Sequence, residues 1–404
     1  MPLSPLITWE IGEKTLAHLE RFEVIFRSPS IPYRSPEIQQ AARSGVEIYS
    51  QTKLFFDLCP APIIAVTGTK GKGTTSTLIY ELLRSRYTVH LGGNMGVDPF
   101  SFLPKLSKED LVILELSSFQ TQDLQKSPHV AVMLNITPDH LNHHHDFAEY
   151  YAAKAQLLAH QTADDLAILN ADYPLVEQLA SATNAKVYRY SKEVPRRQSA
   201  WADRETVFVE IDTLVDSFSV AGRQLLGRHN LENILPAVLV ATLYGVPMPE
   251  IRKSVIEFPG LPHRIFPVGR LGEVDFYDDS IATNPEASLA AIRAFSGRRI
   301  HLIVGGSDKG ADYADFAREV RETCVTVSLL PGDAGKKLLK ALHHAKGDCL
   351  ILDKAQAPLF PTVLSGIQPH IQKGDVVLLS PAAASFASFK DYKERGDLFA
   401  QAVV

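Results

Sequence analysis

The chain has 404 residues, of which 45% are hydrophobic and 22% are charged, and its formal net charge is −5 at pH 7. This length predicts two or three domains, the composition is typical of a globular enzyme, and the negative charge argues against a general nucleic-acid-binding protein. The amino terminus lacks the basic and apolar regions of a signal peptide, and no apolar run is long enough to span a bilayer. The three cysteines are far apart and form no metal-ligand pattern, as is common in a reducing cytoplasm. We therefore expect a cytoplasmic, monomeric protein without membrane or nucleic-acid partners.

The first 60 residues carry few strand signals. "EKTLAHLERF" (13–22) predicts a short amphipathic helix, and "EVIFRSPSIP" (23–32) predicts a strand followed by a loop. "SPEIQQAARSG" (35–45) predicts a helix that begins at Ser35 and Pro36 and ends before Gly45. This segment is too short for a complete doubly wound domain, so we expect a truncated α/β piece.

From Pro62 the pattern changes to strand, glycine-rich turn and helix. Continuous apolar runs predict buried strands of a parallel sheet at "PIIAVT", "LVILEL", "VAVMLNI" and "LAILN". Helical patterns occupy "TTSTLIYELLRSR", "FAEYYAAKAQLLAH" and "NLENILPAVLVATLYG", whereas "TVFVEIDTLVDSFSV" alternates like antiparallel strands. We expect a central domain over residues 61–260 with the sheet of a phosphate-loop ATPase.

A proline- and glycine-rich stretch, "FPGLPHR" (258–264), predicts the next domain boundary. Beyond it, strands alternate with helices at "VDFYDDS", "RIHLIVGG", "CVTVSLL", "CLILD" and "VVLLSP", which predicts a Rossmann-like, doubly wound domain over residues 261–404. Polar loops follow the strands, where ligands of such sheets usually bind. The fold class is therefore α/β, with the truncated piece at residues 1–60.

The loop "GTKGKGTTS" (68–76) lies between a predicted strand and a predicted helix. That context favours phosphate binding, because glycines let backbone N–H groups approach the phosphates and the helix start attracts anions. A plain glycine turn is the alternative. One residue is unusual: Gly73 follows Lys72, where such loops carry a Ser or Thr that helps to hold Mg²⁺.

Three further positions could take part in the same chemistry. Glu115 ends a buried apolar strand, where a carboxylate is costly unless it is paired or bound to a metal; a surface carboxylate is the alternative. His140 follows the next strand, as a candidate metal or phosphate neighbour, and we interpret the run from His143 to His145 as a solvated turn. Lys154, taken alone, is typical of a surface lysine on an amphipathic helix.

Together these motifs resemble the Mur ligases, and among them the members that add D-glutamate to UDP-N-acetylmuramoyl-L-alanine (UDP-MurNAc-L-Ala). The resemblance covers nearly the whole chain from Ser28 onward. It rests, in order, on "GTKGKGT", "GGNMG", "LELSSFQ", "LNITPDHL", "YAAKAQLL", "LLGRHNLENILPA", "FPGLPHR", "DDSIATNPEA", "GGSDKGAD" and "LLSPAAASFASFKDYKERGDLF". "ELSSFQ" and the last motif are similar to the D-glutamate-adding members in particular.

The resemblance implies ATP-driven amide formation with two Mg²⁺ ions in peptidoglycan precursor synthesis. It implies catalytic roles for Lys72, Glu115, His140 and Lys154, the last as a carbamylated lysine that supports Mg²⁺ together with Glu115 and His140. Nucleotide binding is implied for Gly68, Thr69, Lys70, Gly71, Lys72, Gly73, Thr74, Asn230, Asn233, Arg264 and Asp279. Substrate binding is implied for Ser28, Asn94, Thr283, Lys309, Ser385 and Tyr392. For several of these the alternative is structural: Asn230 as a helix N-cap, Ser385 as a helix cap, Lys309 as a surface charge and Asp279 as a turn residue.

The sequence departs from the family pattern at Gly73, at Ile281, where a lysine is common, and at the short first domain. Either the chain start is truncated or the UDP group binds differently. Three hypotheses stay open: an active D-glutamate-adding ligase, a related ligase of the folylpolyglutamate or poly-γ-glutamate type, and a non-catalytic Mur-like subunit. The last motif argues against the second, and the retained charged residues argue against the third.

Overall fold

The computed structural model describes residues 10–12, 15–28, 31–94, 97–138, 144–192, 199–352 and 359–403. Contacts divide the chain into two compact units. The first ends at Glu257 and the second begins at Phe258, except that Arg223–Gly227 belong to the second. Within the described ranges, none of the helices combines the length and the apolar character that a membrane crossing requires.

The first unit begins with a small α/β piece. Its two strands are parallel, β1 (Val24–Arg27) and β2 (Glu47–Ser50), and the helix α1 (Pro36–Arg43) connects them. A core of Leu19, Ile38, Ala41, Val46 and Ile48 lies between the helix and the strands.

The predicted α1 is confirmed, with Ser35 at its N-cap position and Gly45 beyond its end at φ 92°. The helix predicted over residues 13–22 is wrong where the structure describes it. Turns precede a single 3-10 turn at Leu19–Arg21, and His18 has the left-handed φ of 59°. The physical reason is that so short a segment buries only Leu19 of this 3-10 turn, too little to offset the cost of helix nucleation.

A nine-stranded sheet forms most of the first unit, in the order β11-β10-β9-β8-β7-β6-β3-β5-β4. Its strands are β3 (Ile63–Thr67), β4 (Val89–Gly93), β5 (Leu111–Glu115), β6 (Val130–Met133), β7 (Leu166–Asn170), β8 (Lys186–Ser191), β9 (Ser199–Asp203), β10 (Thr206–Ile211) and β11 (Leu214–Ser219). Its helices are α2 (Gln51–Leu58), α3 (Lys72–Leu83), α4 (Ser118–Thr121), α5 (Phe147–Ala155), α6 (Pro174–Glu177), α7 (Leu231–Leu243) and α8 (Met248–Glu257).

The predicted buried strands are confirmed, because every residue of β3, β5 and β6 is buried and these strands pair in parallel. The predicted antiparallel region is β10 and β11. The sequence analysis missed β4, β8 and β9. The strands β4 and β8 are only partly buried and carry glycine, histidine or charged residues, so their sequences lack a clear apolar period.

The second unit contains a six-stranded sheet in the order β12-β13-β17-β14-β15-β16. Its strands are β12 (Phe266–Leu271), β13 (Val274–Asp278), β14 (Ile300–Gly305), β15 (Cys324–Leu330), β16 (Leu350–Leu352) and β17 (Val376–Leu379). Its helices are α9 (Pro285–Ala294), α10 (Ala314–Thr323), α11 (Asp333–His344), α12 (Leu359–Ile367) and α13 (Tyr392–Val403).

Two hydrophobic clusters cover this second sheet. One is built largely from α9, α10 and α11, and the other from α12 and α13. The predicted doubly wound parallel sheet is therefore confirmed. The edge strand β12, which was not predicted, pairs antiparallel with β13.

Candidate active site

The predicted phosphate loop connects the buried strand β3 to helix α3, which begins at Lys72. Gly71 lies at the N-cap position with φ 89°, and a Cβ there would lie 2.2 Å from the side-chain oxygen of Asn233. A Cβ on Gly68 would lie 2.8 Å from Cβ of Leu134. Both positions therefore require glycine, and the loop leads into a helix start, where the helix dipole favours an anion.

Two residues that the sequence analysis did not select hold this loop in shape. The side-chain oxygen of Asn135 accepts from the backbone N–H of Lys70 at 2.8 Å, and its amide donates back to the Lys70 carbonyl at 3.1 Å. The backbone N–H of Thr69 donates to the Asn135 carbonyl at 2.7 Å, and its hydroxyl lies 2.9 Å from that of Tyr150. Asn135 follows β6 within "LNITPDHL", so its position in a quoted motif was the available signal.

Two predicted lysines meet at one carbonyl oxygen of the loop. Nζ of Lys72 donates to the Gly68 carbonyl at 3.1 Å, and Nζ of Lys154 donates to the same oxygen at 2.8 Å. Lys154 is only 1% exposed and its Nζ lies 4.8 Å from the centre of the Tyr150 ring. The surface-lysine interpretation of Lys154 is therefore wrong. The loop therefore gathers two ammonium groups, and positive charge at a loop before a helix favours the binding of phosphates.

Glu115 lies at the end of β5, the sheet neighbour of β3, where it pairs with Val66. It is buried, and its Oε1 accepts a hydrogen bond from the side-chain amide of Asn94 at 3.0 Å. The backbone N–H of Asn94 also donates to the Glu115 carbonyl, at 2.8 Å. The surface-carboxylate interpretation is wrong, and the structure brings together the predicted acid and the predicted substrate-binding asparagine.

His140 lies outside the residues that the structure describes. In the described ranges, no group of three or more His, Cys, Asp and Glu side chains could hold a metal ion. The predicted solvated turn is wrong for His144, which is buried, stacks on Phe119 at 5.2 Å and lies 2.9 Å from the Ser118 hydroxyl. Packing against this aromatic ring and hydroxyl gives the imidazole a partner away from water. His145 is exposed, as expected.

The hydroxyl-bearing residues after Gly73 are buried within α3. The Thr75 hydroxyl donates to the side-chain oxygen of Asn233 at 3.3 Å, and the Asn233 amide donates to that of Asn230 at 2.7 Å. Asn233 therefore lies beside the loop, and Asn230 lies next to Asn233. Asn230 is at the N-cap position of α7, as its structural alternative required, but its side-chain oxygen accepts from Asn233.

Ser28 lies at the end of β1 and is exposed. The preceding Arg27 is buried and contacts the Asp123 carboxylate at 3.4 Å, and the Ser50 hydroxyl donates to the same carboxylate at 3.0 Å. This buried pair ties both strands of the amino-terminal piece to the segment after α4. Arg27, the residue before Ser28, is thereby held in place, although sequence reasoning selected neither Arg27 nor Asp123.

In the second unit, the predicted D-glutamate-binding residues follow three neighbouring strands. Thr283, Lys309 and Ser385 lie in the loops after β13, β14 and β17, respectively. Ser385 is buried, Thr283 is half-buried and Lys309 is exposed. Tyr392 begins α13, and its ring packs edge-on against His263 at 5.9 Å. The carboxyl edge of this sheet therefore carries all four residues, as the position of ligand sites in open sheets predicts.

Asp279 is buried after β13. Its carboxylate accepts from the Ser380 hydroxyl at 2.6 Å and from the backbone N–H of Ile265 at 3.2 Å. Burial raises the pKa of Asp279 to about 7, against the opposing effects of these hydrogen bonds and of the exposed Arg264. The Asp279 side chain thus accepts hydrogen bonds from two segments distant in sequence, at Ser380 and Ile265, whereas the side chain of a simple turn residue bonds only to its neighbours. Ile281 is half-buried, and its N–H donates to the His263 carbonyl.

Comparison with known proteins places this geometry in a family. The Mur ligase middle domain matches residues 66–241, and the Mur ligase glutamate ligase domain matches residues 263–383. The UDP-N-acetylmuramoylalanine–D-glutamate ligase of Acetivibrio thermocellus is 36% identical over 404 aligned residues, which cover 98% of this chain and 86% of that protein. The chain belongs to the Mur ligase family.

Solved structures of Mur ligases have a fold similar to that of this chain. A MurF crystal structure from Acinetobacter baumannii has a TM-score of 0.67 at 18% identity, covering 87% of this chain and 78% of that one. MurF from Thermotoga maritima, solved with ADP, has a TM-score of 0.60 at 17% identity, covering 96% and 99%. At these identities the likeness concerns the fold. In this Mur ligase, the phosphate loop lies in the matched middle domain, and Thr283 and Lys309 lie in the matched glutamate ligase domain.

Proposed function

We propose that this chain is an ATP-dependent ligase that joins UDP-N-acetylmuramoyl-L-alanine to D-glutamate through an amide bond, in peptidoglycan precursor synthesis. The observation that carries the proposal is the 36% identity, over nearly the whole chain, to a relative that bears this activity as its name. The half-buried Lys72 and the buried Lys154, which meet at Gly68, supply together with the buried Glu115 the charged groups that such chemistry uses.

The reaction consumes one ATP for each amide bond. An oxygen of the substrate carboxylate attacks the γ-phosphorus, the bond to the bridging oxygen breaks, and ADP and an acyl phosphate form. The D-glutamate amine then attacks the acyl carbon, loses a proton, and inorganic phosphate leaves. The chain's own part is positioning and charge neutralisation, because phosphoryl transfer needs little covalent help from the protein.

The phosphate loop would hold the ATP phosphates. N–H groups at the start of α3 would donate to phosphate oxygens, and the Lys72 ammonium would neutralise charge on the β- and γ-phosphates. The loop residues proposed for this role are Gly68, Thr69, Lys70, Gly71, Lys72, Gly73 and Thr74. Asn230 and Asn233 would border the nucleotide from α7, since Asn233 already contacts the loop.

The residues present fit a divalent cation in one respect: Glu115 is a buried carboxylate on the strand beside the loop strand, and oxygen ligands of this type suit Mg²⁺. Mg²⁺, when bound, would offset the charge of the phosphates. We propose Glu115 and His140 as its ligands, and Lys154 as a carbamate that supports a second ion. The carbamate proposal draws on the burial of Lys154 against the loop.

In the second unit we propose residues that bind the incoming amino acid and residues that contact ATP. We propose that Arg264 and Asp279 contact ATP, and that the D-glutamate carboxylates are bound by Thr283, Lys309, Ser385 and Tyr392. In the first unit, Asn94 and Ser28 would contact the UDP-linked substrate. This assignment divides the chain into a partial UDP-binding piece (1–60), an ATP-binding domain (61–260) and an amino-acid-binding domain (261–404), in a monomeric cytoplasmic protein.

One assay tests the proposal: phosphate release from ATP with UDP-MurNAc-L-Ala, compared across amino acids. Release with D-glutamate alone would support it. Release only with L-glutamate and a pterin or peptide acceptor would assign the related-ligase alternative, and ATP binding without any turnover would assign the non-catalytic one. Lys72→Ala should abolish release, whereas Lys126→Ala, which removes an exposed lysine paired with Asp57, should not change it.

A further inference from the structure

Arg395, in the first turn of α13, is a fully buried arginine that neither the sequence motifs nor the proposed reaction assign. Its Nε donates to the Ser280 hydroxyl at 2.9 Å, and Nη2 donates to the Ser280 carbonyl at 2.7 Å. Its Nη1 donates to the Ala383 carbonyl at 3.1 Å and lies 3.5 Å from that of Gly305. The acceptors are thus one hydroxyl and three backbone carbonyl oxygens.

All four acceptors lie at the carboxyl edge of the six-stranded sheet. Ser280 follows β13, Gly305 ends β14 and Ala383 follows β17, so the guanidinium joins the carboxyl ends of three neighbouring strands. Each of these segments leads within five residues to one of the residues proposed to bind D-glutamate: Thr283, Lys309 and Ser385. One side chain therefore fixes the start of all three loops.

The loops also touch each other at this point. The Ser307 N–H donates to the Ala384 carbonyl at 2.8 Å. Gly306 has φ 138°, and a Cβ there would lie 2.1 Å from the Ala384 carbonyl oxygen and 3.2 Å from Nη1 of Arg395. Because the loops after β14 and β17 approach each other so closely, a shift of one would displace the other.

Arginine is chemically suited to this position. Its planar guanidinium has five N–H groups in a fixed fork and can serve several acceptors in different directions, whereas a lysine offers one compact ammonium. Asp278 adds to the arrangement from β13, because its Oδ1 accepts from the Ser280 N–H at 2.8 Å and its Oδ2 lies 2.7 Å from Nδ1 of His263.

We propose that Arg395 is a positioning residue for amino-acid binding: it holds the loops after β13, β14 and β17 in one mutual arrangement, so that Thr283, Lys309 and Ser385 meet the two carboxylates of D-glutamate together. The proposal rests on the proposed function for the identity of the ligand. The coupling of the three loops by Arg395 is independent of the proposed function.

The first test separates binding of the amino acid from binding of ATP. Arg395→Lys should raise the KM for D-glutamate at least about tenfold, because misplaced positioning groups are costly, while the KM for ATP changes little. Arg395→Ala should behave similarly and regain D-glutamate affinity with guanidinium chloride below denaturing concentrations, but not with NaCl or urea. The control is Arg299→Lys, at the other end of β14, where Nε donates to Asp375 at 3.1 Å. Equal shifts in both KM values, or an unchanged KM for D-glutamate in folded Arg395→Lys, would overturn the proposal.

The second test does not depend on turnover. Hydrogen–deuterium exchange of the folded Arg395→Lys protein should rise together in the segments 280–284, 305–311 and 383–389, and Arg299→Lys should leave all three unchanged. A rise in only one segment, or in none, would overturn the coupling. If the unmodified protein shows no turnover with D-glutamate, the proposed function fails, and exchange alone still decides whether Arg395 couples the loops.

Discussion

The carbamate proposal for Lys154 makes a prediction that the structure sharpens. Lys154→Ala removes the side chain from Cγ to Nζ, leaving a narrow cavity that leads to Gly68. The variant also loses the hydrogen bond from Nζ to the Gly68 carbonyl at 2.8 Å, which for the neutral N–H of a carbamate stabilises the loop by about 0.5–1.5 kcal/mol. Loss of a group that supports a metal ligand costs a further 10- to 100-fold or so in activity. We expect turnover to fall at least about 100-fold.

Chemical rescue distinguishes the two forms of the lysine. If Lys154 acts as a carbamate, acetate or propionate should enter the cavity in Lys154→Ala and restore part of the phosphate release. If it acts as an ammonium, propylamine should do so instead. Lys154→Met is the matched control, because its side chain fills the cavity and carries no charge, so neither additive should rescue it.

The assay is steady-state phosphate release at constant ionic strength, with chloride as the reference anion. Full turnover in Lys154→Ala, or rescue by the amine and not by the acids, would refute the reasoning. Equal rescue of the alanine and methionine variants would show that the additives act elsewhere.

Lys309→Ala should raise the KM for D-glutamate about tenfold more than the KM for ATP, because the exposed ammonium of Lys309 is proposed to bind a carboxylate. Initial rates measure both constants, with Lys336→Ala as the control, and equal shifts of the two KM values would contradict the prediction. Gly73→Ser should lower the Mg²⁺ concentration needed for half-maximal turnover, with Gly73→Ala to separate the hydroxyl from the added Cβ; an unchanged Mg²⁺ titration would count against it. Asp279→Asn concerns pH. Burial raises the pKa of this carboxyl from 3.8 to about 7, so its contribution to stability is complete below pH 3.8. Between pH 3.8 and about 7 the folded state binds one proton more than the unfolded state does. The free energy of unfolding that this carboxyl contributes therefore declines by about 4 kcal/mol as the pH rises through 7. Urea unfolding between about pH 5 and pH 8 should show a flatter slope for the variant, and an unchanged slope would contradict the assignment.

Local signals in the sequence predicted the parts of the fold and site that local physics determines. The apolar run, the glycines and Lys72 predicted a strand, a loop and a helix, and the structure has β3, Gly68–Gly71 and α3 in that order. The quoted motifs also indicated which loops lie at the carboxyl edges of the sheets. The helix expected at residues 13–22 was predicted wrongly in the part that the structure describes, because propensity alone does not stabilise so short a segment.

Contacts between distant segments could not be predicted in the same way. Asn135 holds Lys70 from 65 positions away, and Arg395 holds Ser280 from 115 positions away. An asparagine after a strand and an arginine in an amphipathic helix are ordinary in sequence. Their roles exist only because the sheet order places the carboxyl ends of particular strands side by side. The same holds for Lys154, whose helical pattern predicted a solvent-exposed position and whose tertiary position is under the phosphate loop.

Gly73 is followed in α3 by residues with hydroxyl groups, and these hydroxyls already have hydrogen-bond partners. Thr75 and Ser76, two and three residues further along α3, carry the hydroxyls that could replace the one missing at this position. The Thr75 hydroxyl, however, donates to Asn233, and the Ser76 hydroxyl donates to the Lys72 carbonyl at 2.8 Å, as side chains inside a helix commonly do. Both are therefore engaged within the unit. Mg²⁺ keeps several waters when it binds proteins, so a water in place of the hydroxyl is the simplest substitute. We therefore propose that Gly73 weakens Mg²⁺ binding without removing it, and that the serine variant binds the ion more tightly.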